Sequence, residues 1–199
     1  MASRTDFDVY LKTARGIIKP QSFNGIVYLE QCEDFEIIVV NNSCFKVKSK
    51  IYLSGYYIGT LVLMPGMSSP VKKVIEGVDR RFRYCQFNSH EAKVGKLNKE
   101  SLYSDEITVA FLPQKITLHK KIKKNALHVV ADCAVAECDS VDRGGAILGP
   151  NKSHQRFTRV ENFDTYGKYY FTLIMRTRPT EKLPEIIPLS ERYTQKSDV

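Results

Sequence analysis

The sequence has no tryptophan and only five cysteines, Cys32, Cys44, Cys85, Cys133 and Cys138, an odd number spread along 199 residues. A complete disulfide framework is excluded, and a reducing compartment is expected. Cys133 and Cys138 are the only close pair, spaced C-x4-C without the second Cys or His pair that a zinc site draws on, so no metal is expected. Long apolar runs are also missing. None approaches the roughly 20 residues that a membrane-crossing helix needs, and MASRTDFDVYLKTARG lacks the uninterrupted apolar core of a signal peptide. Neither a membrane-spanning segment nor a cleaved signal is expected. Sustained helical periodicity is scarce as well, and without crossover helices a doubly wound parallel sheet cannot connect its strands.

Several chemical signatures are absent too. No G-x-x-x-x-G-K-[ST] phosphate loop occurs, and Gly144, Gly145 and Gly149 lack the flanking strand and helix such a loop requires, which leaves them as turn residues. His90, His119, His128 and His154 fall in no nucleophile-elbow or zincin pattern. The adjacent carboxylates Glu33-Asp34 and Asp105-Glu106 sit at strand entries, where solvation accounts for them. The expectation is a non-enzymatic protein with no catalytic residue and no cofactor.

What is present is ordinary in amount and distinctive in pattern. An apolar share of 43% and a mean hydropathy of -0.28 suit a globular chain able to bury one core. The excess of 30 Lys and Arg over 22 Asp and Glu, a net charge of +8, suits an acidic partner. The most informative stretch is FKVKSKIYLSGYYIGTLVLM, residues 45–64. Phe45, Val47, Ile51 and Leu53 alternate with Lys46, Lys48, Lys50 and Tyr52, the period of a half-buried strand with a lysine face. Ser54-Gly55 then supplies a tight turn, a second strand runs from Tyr56 to Met64, and Pro65-Gly66 ends the hairpin.

Similar alternation predicts strands at 25–30, 35–40, 80–87, 107–112 and 127–136, with an edge strand at 71–75. A closing hairpin, 156–163 with 168–176, is expected about an Asp164-Thr165-Tyr166-Gly167 turn. Residues 88–105 and 139–152 are expected as loops. About nine short strands without a long helix predict an all-β sandwich or a closed barrel. Residues 1–20 are expected as an N-terminal arm, 21–178 as the β domain, and 179–199, with three prolines, as a C-terminal tail.

The densest basic run is KITLHKKIKK, residues 115–124, carrying Lys115, Lys120, Lys121, Lys123 and Lys124. Together with the lysine face and the Arg80, Arg81 and Arg83 strand, with its Phe82 and Tyr84, it makes a candidate nucleic-acid surface. Solvated strand faces and edge lysines that block aggregation explain the same residues.

Three segments, IYLSGYYIGTLVLMPG, VIEGVDRRFRYCQFNS and GGAILGPNKSHQRFTRVENF, carry a pattern in Gly55, Gly59, Arg80, Arg81, Phe82, Tyr84, Leu148, Gly149, Gln155 and Phe157. The pattern, over about residues 26–177, resembles a β-rich domain of proteins encoded by large nucleocytoplasmic DNA viruses, with Leu61 standing where an aromatic is common. The resemblance implies an antiparallel β-sandwich, a single jelly roll with extended N- and C-terminal arms. It implies a penton or minor capsid protein that assembles with copies of itself and other capsid proteins, made in the host cytoplasm and placed in the virion. The alternative is a basic β-sandwich binding module for nucleic acid or an acidic glycan.

Overall fold

Among the described residues, stretches such as 7–13 and 47–53, whose side chains alternate in character, fold as strands with one face inward. The computed structural model describes residues 4–20, 25–75, 77–97, 103–115, 143–157 and 163–179. Its strands are β1 Phe7–Thr13, β2 Gly16–Ile18, β3 Ile26–Leu29, β4 Asp34–Asn41, β5 Val47–Leu53, β6 Tyr56–Leu63, β7 Ser68–Val71, β8 Arg80–Gln86, β9 Glu106–Pro113, β10 Gly144–Lys152 and β11 Tyr169–Thr177, with a short helix α1 at His90–Val94. They form two sheets. Sheet one runs β10-β8-β4-β1-β2, with β7 beside β4, and sheet two runs β3-β11-β9-β5-β6. Pairing is antiparallel apart from β11 with β3. The molecule is an all-β sandwich, as expected.

The core lies between the sheets and is built from alternate strand residues such as Phe35, Ile37 and Val39 of β4, and Val109 and Phe111 of β9. The hairpin at 45–64 forms as predicted. Ser54 and Gly55 both have positive φ, 50° and 80°, the combination that a two-residue primed turn demands. Ser54 is held there by its hydroxyl, which donates to the Ser104 carbonyl at 2.7 Å and accepts from the Ala146 N–H at 3.3 Å. Gly59, at φ 141°, lies where a Cβ would sit 2.4 Å from Ile75 Cβ, so that position has no room for a side chain.

The predicted N-terminal arm requires correction. Residues 7–18 are β1 and β2, and β1 is an interior strand paired with β4 along its whole length. Phe7, Val9 and Leu11 are buried, and the Phe7 ring stacks on Phe111 of the opposite sheet at 4.6 Å. The domain boundary at residue 20 fails because a period-two face, not a helical one, runs through this segment.

Two predicted loops also hold structure. Ser89 caps α1, its side chain accepting from the Ala92 N–H at 3.1 Å. Gly144–Lys152 is a strand against β8 rather than a glycine-rich turn. Its glycines answer to close packing: a Cβ on Gly144 would lie 2.4 Å from Tyr84 Oη, and one on Gly145 2.4 Å from the Ser104 carbonyl oxygen. Asp164–Gly167, expected as a turn, lies beside the end of β9, and most of the strand predicted at 156–163 falls outside the described residues. The Lys115 N–H donates to the Asp164 carbonyl at 2.8 Å and the Tyr166 N–H to Pro113 at 3.0 Å, so this stretch extends the β11–β9 ladder. The edge strand predicted at 71–75 is instead β7, three residues earlier. The strand predicted at 127–136 and the tail from residue 180 lie outside the described residues.

Gln155 and Phe157 acquire a structural role. Gln155 Oε1 accepts from the Lys72 N–H at 2.8 Å and its Nε2 donates to the Pro70 carbonyl at 2.5 Å, so one side-chain amide satisfies the edge of β7. Phe157 packs against the core. Gln155→Ala orphans a donor and an acceptor and is expected to cost about 1–3 kcal/mol, read as a lowered urea midpoint. An unchanged midpoint would mean that water replaces the amide.

Candidate macromolecular interface

The outer face of sheet two concentrates lysine and tyrosine. On β5, Lys48 and Lys50 alternate with core residues, so both point away from the opposite sheet, with Tyr52 continuing the row. Strand register places Thr60, Lys50, Ala110 and Tyr170 side by side across β6, β5, β9 and β11, and Tyr57, Tyr52, Thr108 and Thr172 in the next row. Tyr57 is 56% and Tyr170 53% exposed. The Tyr52 and Tyr57 rings lie 5.6 Å apart, and the Tyr57 hydroxyl is hydrogen-bonded to Thr60 Oγ1 at 2.6 Å. At the other end, Lys46 and Lys48 each hold their Nζ 5.1 Å from the Phe163 ring centre. Ala110 and Leu112 form a buried floor whose cross-strand partners are Lys50 and Lys48, residues with aliphatic stems suited to covering it.

The candidate basic surface drawn from sequence is divided by the fold. Lys115 is exposed at the end of β9, next to Lys46, whose carbonyl accepts from the Gln114 N–H at 2.7 Å. The first residue of the basic run therefore stands beside the lysine face. Lys120, Lys121, Lys123 and Lys124 lie outside the described residues. Arg80, Arg81 and Arg83 are on β8 of the other sheet, and Phe82 and Tyr84 are fully buried rather than available for stacking. Tyr84 instead joins the sheets through its hydroxyl, 2.9 Å from Thr177 Oγ1. Tyr57 and Tyr170 escaped the sequence reading as a pair with Lys50, because only strand order brings them together.

Several charges on and beside sheet one are paired. Arg83 Nε donates to Asp34 at 2.6 Å, and Asn151 Nδ2 donates to the same carboxylate at 2.5 Å. Burial pushes the Asp34 carboxyl up, but these bonds and the charges of Arg83 and Arg81 outweigh it and hold it below its ordinary range. Glu33 is likewise held low, burial being opposed by Arg15 and by the Glu30 N–H. Lys72 pairs with Glu36 at 3.2 Å.

Two buried groups sit near the sheet ends. Asp105, with a side chain 4% exposed, accepts from Arg143 Nε at 3.1 Å and Arg176 Nη1 at 2.5 Å. Its neighbour Glu106 is raised by burial and by the Asp105 charge, with Arg143 and Arg176 opposing. Cys85 is pushed up to about 12 by burial, with Cys32 and Glu91 adding to it, so its thiol is neutral and a poor nucleophile at neutral pH. An open cleft of about 520 Å³ is lined by Lys73, Asp79, Ser153, His154, Arg156 and Phe157, among others, but Lys73 is already paired with Asp79. His90 starts α1 and is exposed. Among the described residues no three His, Cys, Asp or Glu side chains gather into a metal-binding group, and no helix is long and apolar enough to cross a membrane.

No family model, no curated protein and no solved structure matches this chain.

Proposed function

We propose that this protein is a non-enzymatic structural component of a large DNA virus particle, a penton or minor capsid protein that works by contact with copies of itself and with other capsid chains. In this reading it is made in the host cytoplasm and placed in the virion, and its sandwich is of the jelly-roll type. The observation that carries the assembly reading is the outer edge of β6. This strand ends sheet two, and among the described residues no other strand pairs with its outer side. The edge accepts one backbone bond there, from the Ile75 N–H to the Ile58 carbonyl. Tyr56 and Met64, at either end of the strand, and Met67 in the turn beyond are exposed. An open edge flanked by large apolar side chains is a template for a neighbour's strand or loop, and a contact of this kind between unlike surfaces builds a ring where the rotation between copies closes and a filament where it does not.

The residues that carry the viral resemblance agree with a scaffold role. Gly55 makes the turn, Gly59 admits Ile75, Phe82 and Tyr84 fill the core, and Gln155 satisfies β7. These are tasks of a sandwich that must be rigid before it assembles.

The test is the mass of the protein in solution by light scattering across concentration. A discrete oligomer is expected, and the double substitution Tyr56→Lys with Met64→Lys is expected to return it to monomer while its melting temperature holds. A chain that stays monomeric at every concentration would remove self-assembly through β6.

A further inference from the structure

We propose that the outer face of sheet two binds single-stranded nucleic acid, with Lys46, Lys48 and Lys50 tracking the phosphates and Tyr52, Tyr57 and Tyr170 receiving the bases. This inference is independent of the β6 edge and of any capsid role.

Three features of the face fit that ligand. Lysines recur at every second residue from Lys46, just before β5, to Lys50, their backbone positions roughly 6.6 Å apart at ordinary strand rise. Lys46 and Lys50 have no ion-pair partner among the described residues, whereas Arg83 and Lys72 beside sheet one are held against Asp34 and Glu36. Phosphates would therefore meet, on this face of sheet two, lysine charge in line with exposed tyrosines.

Aromatic placement is the second feature. Tyr52 continues the lysine line along β5, with Tyr57 beside it. Tyr170 lies two strands from Lys50 in the same row, roughly 10 Å away at ordinary strand spacing. Its ring is half exposed, and tyrosine offers a flat surface on which any base can stack. A duplex hides its bases, so aromatic rings exposed on a sheet face favour a single strand.

The third feature is continuity. Lys115 stands at the Lys46 end of the face, so the lysine-rich run begins where the lysine track does. Carboxylates near the face are peripheral: Asp164 beside Lys115 at that end, and Glu106 at the other end of β9.

The probe is a fluorescently labelled oligothymidylate, titrated with the full chain while anisotropy is read over a salt series. Binding is expected to weaken steeply with salt, and Lys48→Gln with Lys50→Gln to reduce the log–log salt slope by about 1.4, from roughly 0.7 per lysine on a single strand. Tyr170→Leu keeps an apolar residue on the strand and is expected to weaken binding about five-fold or more. Lys12→Gln, on an exposed residue of sheet one, is expected to change little; a loss equal to that of Lys50→Gln would overturn the site. So would absence of binding at low salt, or full affinity in a Tyr52→Leu, Tyr170→Leu double variant that melts normally. Loss of binding on changing Lys120, Lys121, Lys123 and Lys124 to Gln, with none at Lys48 and Lys50, would overturn it in favour of the basic run. A sulfated polysaccharide bound as tightly, and indifferent to Tyr170→Leu, would reassign the face to acidic glycans.

Discussion

A chain lacking residues 1–13 is expected not to fold. The deletion removes β1 from the interior of sheet one and leaves β4 without its partner over Phe35–Asn41. It also strips Phe7, Val9 and Leu11 from the core. At about 1.5–3 kcal/mol for each buried apolar side chain, the three together contribute roughly 5–9 kcal/mol, comparable with the whole stability of an ordinary domain, about 5–15 kcal/mol. The ladder bonds of β1 are lost besides. Near-UV circular dichroism of the tyrosines is the natural monitor, since the chain has no tryptophan. A shortened chain that keeps a cooperative thermal transition would restore the description of this segment as an arm. Phe7→Ala is a milder version, expected to cost about 3–5 kcal/mol because it also ends the stacking on Phe111.

Asp105→Ala is expected to destabilise the fold by about 3–5 kcal/mol, the range for breaking a buried pair at one partner. Asp105 is the meeting point of three strands: it immediately precedes β9, its carboxylate accepts from Arg143 beside β10 and from Arg176 of β11, and its backbone carbonyl, which the substitution keeps, accepts from the Met175 N–H at 2.8 Å. Most of the loss falls on Arg176, whose side chain is 11% exposed, because Arg143 is 35% exposed and regains water. Urea denaturation gives the magnitude. A second readout isolates the electrostatics: the Asp105 charge helps to raise the Glu106 carboxyl, so in Asp105→Ala the Glu106 titration, followed by NMR, is expected to move to lower pH. A stable variant with Glu106 unmoved would show that the two arginines rely on other partners.

How far the fold could be read in advance depended on whether local pattern and tertiary role coincided. At β5 and β6 they did, because alternation, a Ser-Gly turn and a terminal Pro-Gly pair all pointed to one hairpin. For β8, the strand at 80–87 was legible in the alternation of Arg81 and Arg83 with Phe82 and Tyr84, and both aromatic side chains are buried. β1 carries the same period in Phe7, Val9 and Leu11, but Asp8 and Lys12 between them gave the segment the composition of a solvated arm. β10 was hidden by its glycines. Gly144 and Gly145 suggested a turn, yet what excludes a side chain there is Tyr84 and the Ser104 carbonyl, neither near in sequence. Asp164–Gly167 had turn composition, and the end of β9, past its pairing with β11, drew it into backbone bonds.

The candidate face divides in the same way. Lys46, Lys48 and Lys50 were evident as one side of a strand, because neighbouring φ and ψ angles set a two-residue period whatever the rest of the chain does. Their company was not. Tyr170 joins Lys50 only because β9 lies between β5 and β11, and Arg80, Arg81 and Arg83 are absent from the face because β8 joined the other sheet. The amino-acid order by itself determined the strands with clean alternation, the turn between β5 and β6, and the excess of positive charge. Which strands are neighbours, and therefore which charges share a surface, was decided by the tertiary structure, since pairing energy comes from burying faces against residues remote in the chain.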